Sequence, residues 1–179
     1  MLIRNSDERY GLVSRILHWT LAVLMLGLVW LGWVLVGMGY YDPWYYTAET
    51  AHESLGMLVL ALAAFKLVWM LPSPAPVPQP ELKPWERGGS KLVHGLLFLS
   101  MFLLPLTGYL TSTSDGAAVP FFDWFEIPAL VPVSDGLRDW SIDAHFYGAY
   151  AMLVLAILHA GAALKHQFVD GHGTLRRMI

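Results

Sequence analysis

The stretch DAHFYGAYAMLVLAILHAGAALKHQF, Asp143 to Phe168, carries two histidines within one apolar run, His145 and His159, 14 residues apart. At ~100° per residue, 14 steps stop about 40° short of four whole turns, so both rings leave a helix on nearly one face. At ~1.5 Å rise per residue they stand about 21 Å apart along the axis. A bilayer core is ~30 Å thick, so one helix built from this stretch offers an imidazole near each side of a membrane. Lipid holds no water to solvate such a ring. An imidazole at that depth needs a partner and marks function by default.

Outward from this stretch, three more apolar runs each hold one histidine near an end: His18, His52 and His94. The chain has 179 residues, 56% of them hydrophobic and only 14% charged, and its mean hydropathy of +0.49 is too high for a soluble domain. No Asp, Glu, Lys or Arg occurs between Arg15 and Asp42 (26 residues), between Lys91 and Asp115 (23) or between Asp143 and Lys165 (21). Each window accommodates the ~20 residues of a spanning helix. The second run has only 12 uncharged residues, between Glu53 and Lys66. It spans if Lys66 snorkels to one interface and Glu53 lies near the other. The expected fold is all-α: a transmembrane four-helix bundle in one membrane-embedded domain, residues 1–179, with spans at about 13–38, 50–71, 92–113 and 143–166.

Four spans place both termini on one side, with the loop from Pro72 to Ser90. That side collects Arg4, Arg9, Arg15, Lys66, Lys83, Arg87, Lys91, Lys165, Arg176 and Arg177, which is 10 of the 11 cations; Arg138 alone falls opposite. The positive-inside rule makes the termini cytoplasmic. The first run is too long for a signal-peptide core and no small-residue cleavage site follows it, so it is expected to be retained. The expected location is a cell membrane, multi-pass, with membrane lipid as a partner and no nucleic acid.

Position along spans of alternating direction converts to depth. His52 and His145 both lie at the outer starts of their spans and are level. His18 and His159 are both inner and roughly level, but His94, three residues past Lys91, is equally deep. Depth alone does not choose between His18 and His94 as the partner of His159. Two imidazole pairs at two heights is the layout for two haems stacked across a membrane. The chain has no cysteine, which removes disulfides, iron–sulfur clusters, thiolate nucleophiles and covalent C-x-x-C-H haem attachment. Any haem is therefore noncovalent. The eight methionines read as lipid-facing or core filler rather than axial ligands, and Trp19 reads as packing. Gly56 and Gly148 fall on the histidine faces, where a missing side chain leaves room for a porphyrin or eases helix packing.

Between the spans, Pro72 to Pro84 holds six of the 11 prolines and reads as an extended connector. The longest loop, Thr111 to Asp143, reads GAAVPFFDWFEIPALVPVSDGLRDW from Gly116 to Trp140. A short helix or turn lying on the outer surface is expected there, capping the bundle, with Trp44, Tyr45, Tyr46, Trp124 and Trp140 in an aromatic belt.

RILHWTLAVLML (Arg15 to Leu26), TAHESLGMLVL (Thr50 to Leu60), the fourth run and the tail DGHGTLRRM (Asp170 to Met178) together resemble the bacterial cytochrome b561 family. These are four-helix di-haem proteins related to the cytochrome b subunits of nickel hydrogenases and formate dehydrogenases, and the resemblance implies the bacterial cytoplasmic (inner) membrane as the location. The resemblance covers all but the proline connector and the outer loop. It implies two haems b, the inner held between spans one and four by His18 and His159, the outer between spans two and four by His52 and His145. It leaves His94 and His166 near the inner haem edge, with Lys91 and Lys165, where the family is thought to exchange electrons with ubiquinone or another quinone. An imidazole there could deliver a proton to a quinone carbonyl. His172, in the polar tail, is given no role.

Charge bears on the substrate. The outer face carries Asp42, Glu49, Glu53, Asp115, Asp123, Glu126, Asp135, Asp139 and Asp143 against Arg138, a net −8; the inner side is +5. Some members of the family oxidise superoxide at the outer face and reduce ubiquinone. An acidic face repels an anionic substrate and suits a cationic donor or acceptor, such as a basic redox protein. The favoured reading is a di-haem electron carrier that exchanges with the quinone pool and has no catalytic residue of its own. A superoxide:quinone oxidoreductase is the alternative. A histidine-based metal-ion transporter would need a polar path, and the spans hold few acids and no thiols.

Overall fold

The computed structural model describes residues 2–179. Four long helices carry the chain: α1 (Leu12–Gly37), α2 (Tyr45–Trp69), α3 (Pro84–Ser112) and α4 (Asp135–Phe168). All four are long and apolar enough to cross a membrane. Three of them extend past the apolar stretches that announce them. α2 begins at Tyr45. α3 begins with Pro84 at its first turn, where the missing N–H costs nothing, and the Lys83 N–H donates to Glu86 Oε2 at 3.0 Å. α4 begins at Asp135, where the Ser134 hydroxyl accepts from Leu137 N–H at 3.3 Å. Hydropathy measures the part of a helix in lipid. The added turns are polar and set by their caps.

The core joins all four helices through Leu21, Met25, Val59, Leu104 and Met152. Val23, Trp30, Val68, Leu103, Val154 and Ile157 point outward instead, as expected where the surroundings are as apolar as the interior. α4 packs chiefly on α3, α3 on α2 and α2 on α1, whereas α1 and α4 barely approach each other.

The loop between α3 and α4, where a short helix or turn is expected, folds into a β-hairpin, β1 (Val119–Phe121) with β2 (Phe125–Ile127). In its three-residue loop, Phe122 to Trp124, Phe122 (φ 50°) and Asp123 (φ 58°) have the left-handed backbone that matches strand twist. Phenylalanine is a poor residue for that conformation, so tertiary contacts hold it. The fully buried hydroxyl of Ser54, on α2, donates to Pro120 C=O (3.1 Å) and accepts from Phe122 N–H (2.9 Å). Tyr109 Oη donates to Pro128 C=O (2.7 Å) and accepts from Leu130 N–H (2.8 Å). The hairpin is thus pinned to α2, and the segment after it to α3.

The opposite end is closed by both termini and the connector. Asn5 bonds to Ser73 and Pro74, and the Arg177 side chain donates to carbonyls of Asp7, Glu8 and Val77. Gly11 sits where a Cβ would lie 2.4 Å from the Arg4 backbone, so glycine alone permits the crossing. Trp19 Nε1 donates to Met178 C=O at 3.1 Å, tying the tail to α1.

Ser54→Ala removes the partner of the part-buried Phe122 N–H and should destabilise the fold by about 1 kcal/mol. The expected outcome is a lower thermal midpoint and faster proteolysis within residues 119–127, read by a melt and by fragment mass spectrometry.

Candidate functional site

Two pairs of imidazoles face each other across the bundle, one pair toward each end. At the end that carries the termini, the ring centres of His18 (α1) and His159 (α4) are 6.1 Å apart with planes inclined by 66°. At the hairpin end, His52 (α2) and His145 (α4) are 6.0 Å apart at 65°. Two imidazoles on opposite sides of one metal have centres about 6.2 Å apart, given metal–nitrogen bonds of about 2.0 Å and ~1.1 Å from nitrogen to ring centre. His94 stands 4.9 Å from His159, shorter than that span, and its Nδ1 is 3.3 Å from Ser90 Oγ. In both 6 Å pairs the rings come from helices that pack little on each other, so side chains rather than backbones fill the space between.

The hairpin-end pair lies in a cavity of about 340 Å³ lined from all four helices, with Gly32, Gly56 and Gly108 among its walls and Glu49 and Glu53 among its few charged groups. His145 Nδ1 is 2.9 Å from Leu104 C=O. A carbonyl only accepts, so Nδ1 carries the proton and Nε2 keeps its lone pair for a metal. Two glycines make room for the rings. A Cβ on Gly108 would meet His145 Cε1 at 3.1 Å, and one on Gly32 would meet His52 Cε1 at 3.4 Å. A Cβ on Gly148 would meet Leu104 instead, at 3.0 Å, while Gly56 faces open space.

Across the chain, the family model for prokaryotic cytochrome b561 matches residues 9–179. The chain belongs to the prokaryotic cytochrome b561 family. It is 36% identical over 179 residues to cytochrome b561 homolog 2 of Escherichia coli K12, covering 100% of this chain and 95% of that protein. It is 25% identical to cytochrome b561 homolog 1 of the same strain, over 96% of this chain and 97% of that one. A protein of Yersinia pestis named probable superoxide oxidase CybB is 26% identical over 96% of both chains. As a member of the cytochrome b561 family the chain is a haem b protein of electron transport, multi-pass in the bacterial inner membrane.

The residues present suit that cofactor. Each pair supplies two imidazoles at the separation that axial ligation needs, the chain has no thiol to compete, and His52 Nδ1 is buried without a hydrogen-bond partner among the described residues. A buried polar atom left alone costs about 1–3 kcal/mol, a cost that a bound partner for its ring would offset.

The other residues singled out from the sequence lie at the end that carries the termini. His166 Nδ1 and Lys165 Nζ are each 2.7 Å from Asp170 Oδ2, and Lys165 also reaches Glu86 Oε1 at 3.1 Å. Hydrogen bonds from Lys165 and then His166 hold the Asp170 carboxyl below the usual carboxylate range. Lys91 is exposed and forms no ion pair among the described residues. Lys66 lies 5.9 Å over the Phe98 ring, so its ammonium rests on an aromatic face rather than running free to the interface.

Sequence reasoning missed Gly32 and Gly108 as ring seats, though a signal was present. Gly32 follows His18 by 14 residues, Gly108 follows His94 by 14, and Lys66 follows His52 by 14, repeating the spacing of His145 and His159. Nothing local marks the Leu104 carbonyl.

Gly108→Val puts a branched side chain against the His145 ring and should lower haem content and shift the reduced α-band. Gly27→Ala, where a Cβ meets nothing within 4 Å, should leave both unchanged. Pyridine haemochromogen assay and reduced-minus-oxidised spectra read the difference.

Proposed function

We propose that this cytochrome passes electrons across the inner membrane through two b-type haems, with His18 and His159 as axial ligands of one and His52 and His145 of the other, and that it exchanges electrons with the quinone pool. The observation that carries this reading is the duplication of one geometry: 6.1 Å and 66° at one end, 6.0 Å and 65° at the other, both anchored on α4. A chance pair of structural histidines has no reason to repeat itself. The 4.9 Å approach of His94 to His159 favours His18 as the ligand. Haem b, when bound, supplies reversible one-electron iron chemistry. The chain supplies the rest. The Leu104 carbonyl fixes the tautomer and direction of His145, the glycines seat the rings, and the apolar cavity keeps water out. The ten cations on the side of the termini argue that this side is cytoplasmic. There His94, His166, Lys91 and Lys165 offer N–H donors to a quinone carbonyl oxygen.

Purified protein should hold about two noncovalent haems b per chain, all extractable by acid acetone. His145→Ala should remove one low-spin centre and His18→Ala the other, while His94→Ala keeps both. A wild-type ratio near one, or loss of a centre in His94→Ala with retention in His18→Ala, overturns the assignment.

Superoxide as the outer donor is the second reading, favoured by the name of the Yersinia pestis relative. Glu49 and Glu53 at the outer cavity and the −8 outer face oppose it, since like charges slow the approach of an anion. They favour a cationic partner, such as a basic redox protein. Stopped-flow reduction of the haems by superoxide should be well below the diffusion limit, with little acceleration at low salt. A near-diffusion-limited rate establishes the oxidase reading instead. On the other side, His166→Ala should slow quinone reduction with both haem spectra intact. Unchanged quinone kinetics in both His166→Ala and His94→Ala removes the quinone site from this region.

A further inference from the structure

The tail of the chain does something that its composition does not announce. His166 and Asp170 are four residues apart at the end of α4 and so share a face. Gly171 (φ 72°) then turns the chain back through the left-handed region, and Gly173 (φ 67°) turns it again. Between these two glycines stands His172. Its backbone N–H donates to His166 C=O at 2.9 Å, its C=O accepts from the Gln79 side-chain amide, and its ring stacks on that of His166 at 5.6 Å and 12°. The two imidazoles and the Asp170 carboxylate place one donor atom each within 4.8 Å of one another. His172 Nδ1 is buried and has no hydrogen-bond partner among the described residues. Neither the haem-ligand pairs nor the proposed electron path uses His172.

We propose that His166, Asp170 and His172 form a binding site for a borderline divalent transition-metal ion, with Zn²⁺ as the fitting probe. Two imidazoles and one carboxylate are a donor set that such ions prefer over Mg²⁺ or Ca²⁺, which take oxygen ligands. Three protein ligands leave a fourth position for water. Tetrahedral binding needs donor atoms about 3.3 Å apart, so the 4.8 Å cluster closes by at most about 1.5 Å. The His172 segment, hinged between two glycines, makes that adjustment more readily than the end of α4. The ion takes over the contact that Lys165 now makes to Asp170, and Lys165 keeps its bond to Glu86 at 3.1 Å. A cavity of about 430 Å³ at this end reaches His172 and is lined by Asp7, Glu8 and Glu81 against Arg9, Arg176 and Arg177. A bound ion would staple the tail to α4. None of the three ligands is an axial histidine, so the ion site is independent of the haem reading; it shares His166 with the proposed quinone region, and the variants that test it leave His166 in place.

The test uses untagged, haem-loaded protein in detergent, free of imidazole buffer. Zn²⁺ is titrated by isothermal calorimetry, and retained zinc is measured by elemental analysis after gel filtration. One Zn²⁺ per chain is expected. His172→Gln and Asp170→Asn should each weaken binding by at least about tenfold, with haem content and spectra unchanged. Equal zinc affinity in wild type and His172→Gln overturns the proposal, as does a wild type that retains no zinc. Should Asp170→Asn lose its haem through damage to the tail, His172→Gln alone decides.

Discussion

An imidazole inside a membrane cannot be solvated, and the rest of this molecule is arranged around that constraint. Four of the spanning histidines meet in two pairs with nearly equal separation and inclination. The His145 ring is held further by the Leu104 carbonyl at 2.9 Å, a backbone acceptor still accessible beside Gly108, where a side chain would press on the ring. The direction of the ring is thereby fixed from a neighbouring helix, the kind of support that metal-site histidines generally have.

The same demand explains a frame shared by all four helices. Each carries two positions 14 residues apart that fall at the two levels: His18 and Gly32 on α1, His52 and Lys66 on α2, His94 and Gly108 on α3, His145 and His159 on α4. Only α4 has a histidine at both levels. Its partners come from different helices, and glycine stands opposite at the hairpin end because two large rings already occupy that layer. A cation, Lys66, occupies the other layer, resting on Phe98. The layer with the carboxylates Glu49 and Glu53 and the layer with Lys66 thus differ in sign, which biases where an electron is more stable.

Both ends of the bundle are closed by segments with almost no regular structure of their own. The hairpin is too short to stand alone and depends on Ser54 and Tyr109 for its backbone partners. At the other end the termini and the proline connector exchange hydrogen bonds through Asn5, Ser73 and Arg177.

The four spans, the level of each histidine and the noncovalent nature of the haem were legible in the sequence, because hydropathy, charge-free length and helical period are properties of the chain taken one residue after another. The family resemblance rested on short histidine-bearing motifs and implied, beyond this, His18 rather than His94 as the partner of His159. Read residue by residue, the sequence did not decide between His18 and His94, since depth is one coordinate and the angle around the bundle is another. Packing sets that angle and leaves one separation at 6.1 Å and the other at 4.9 Å. Nor did it show that a serine on α2 would hold a hairpin with a left-handed phenylalanine, or that His172 would fold back onto His166. Each of these depends on a hydrogen bond or a stacked ring between residues that local propensity does not relate, so only the tertiary structure could bring them together.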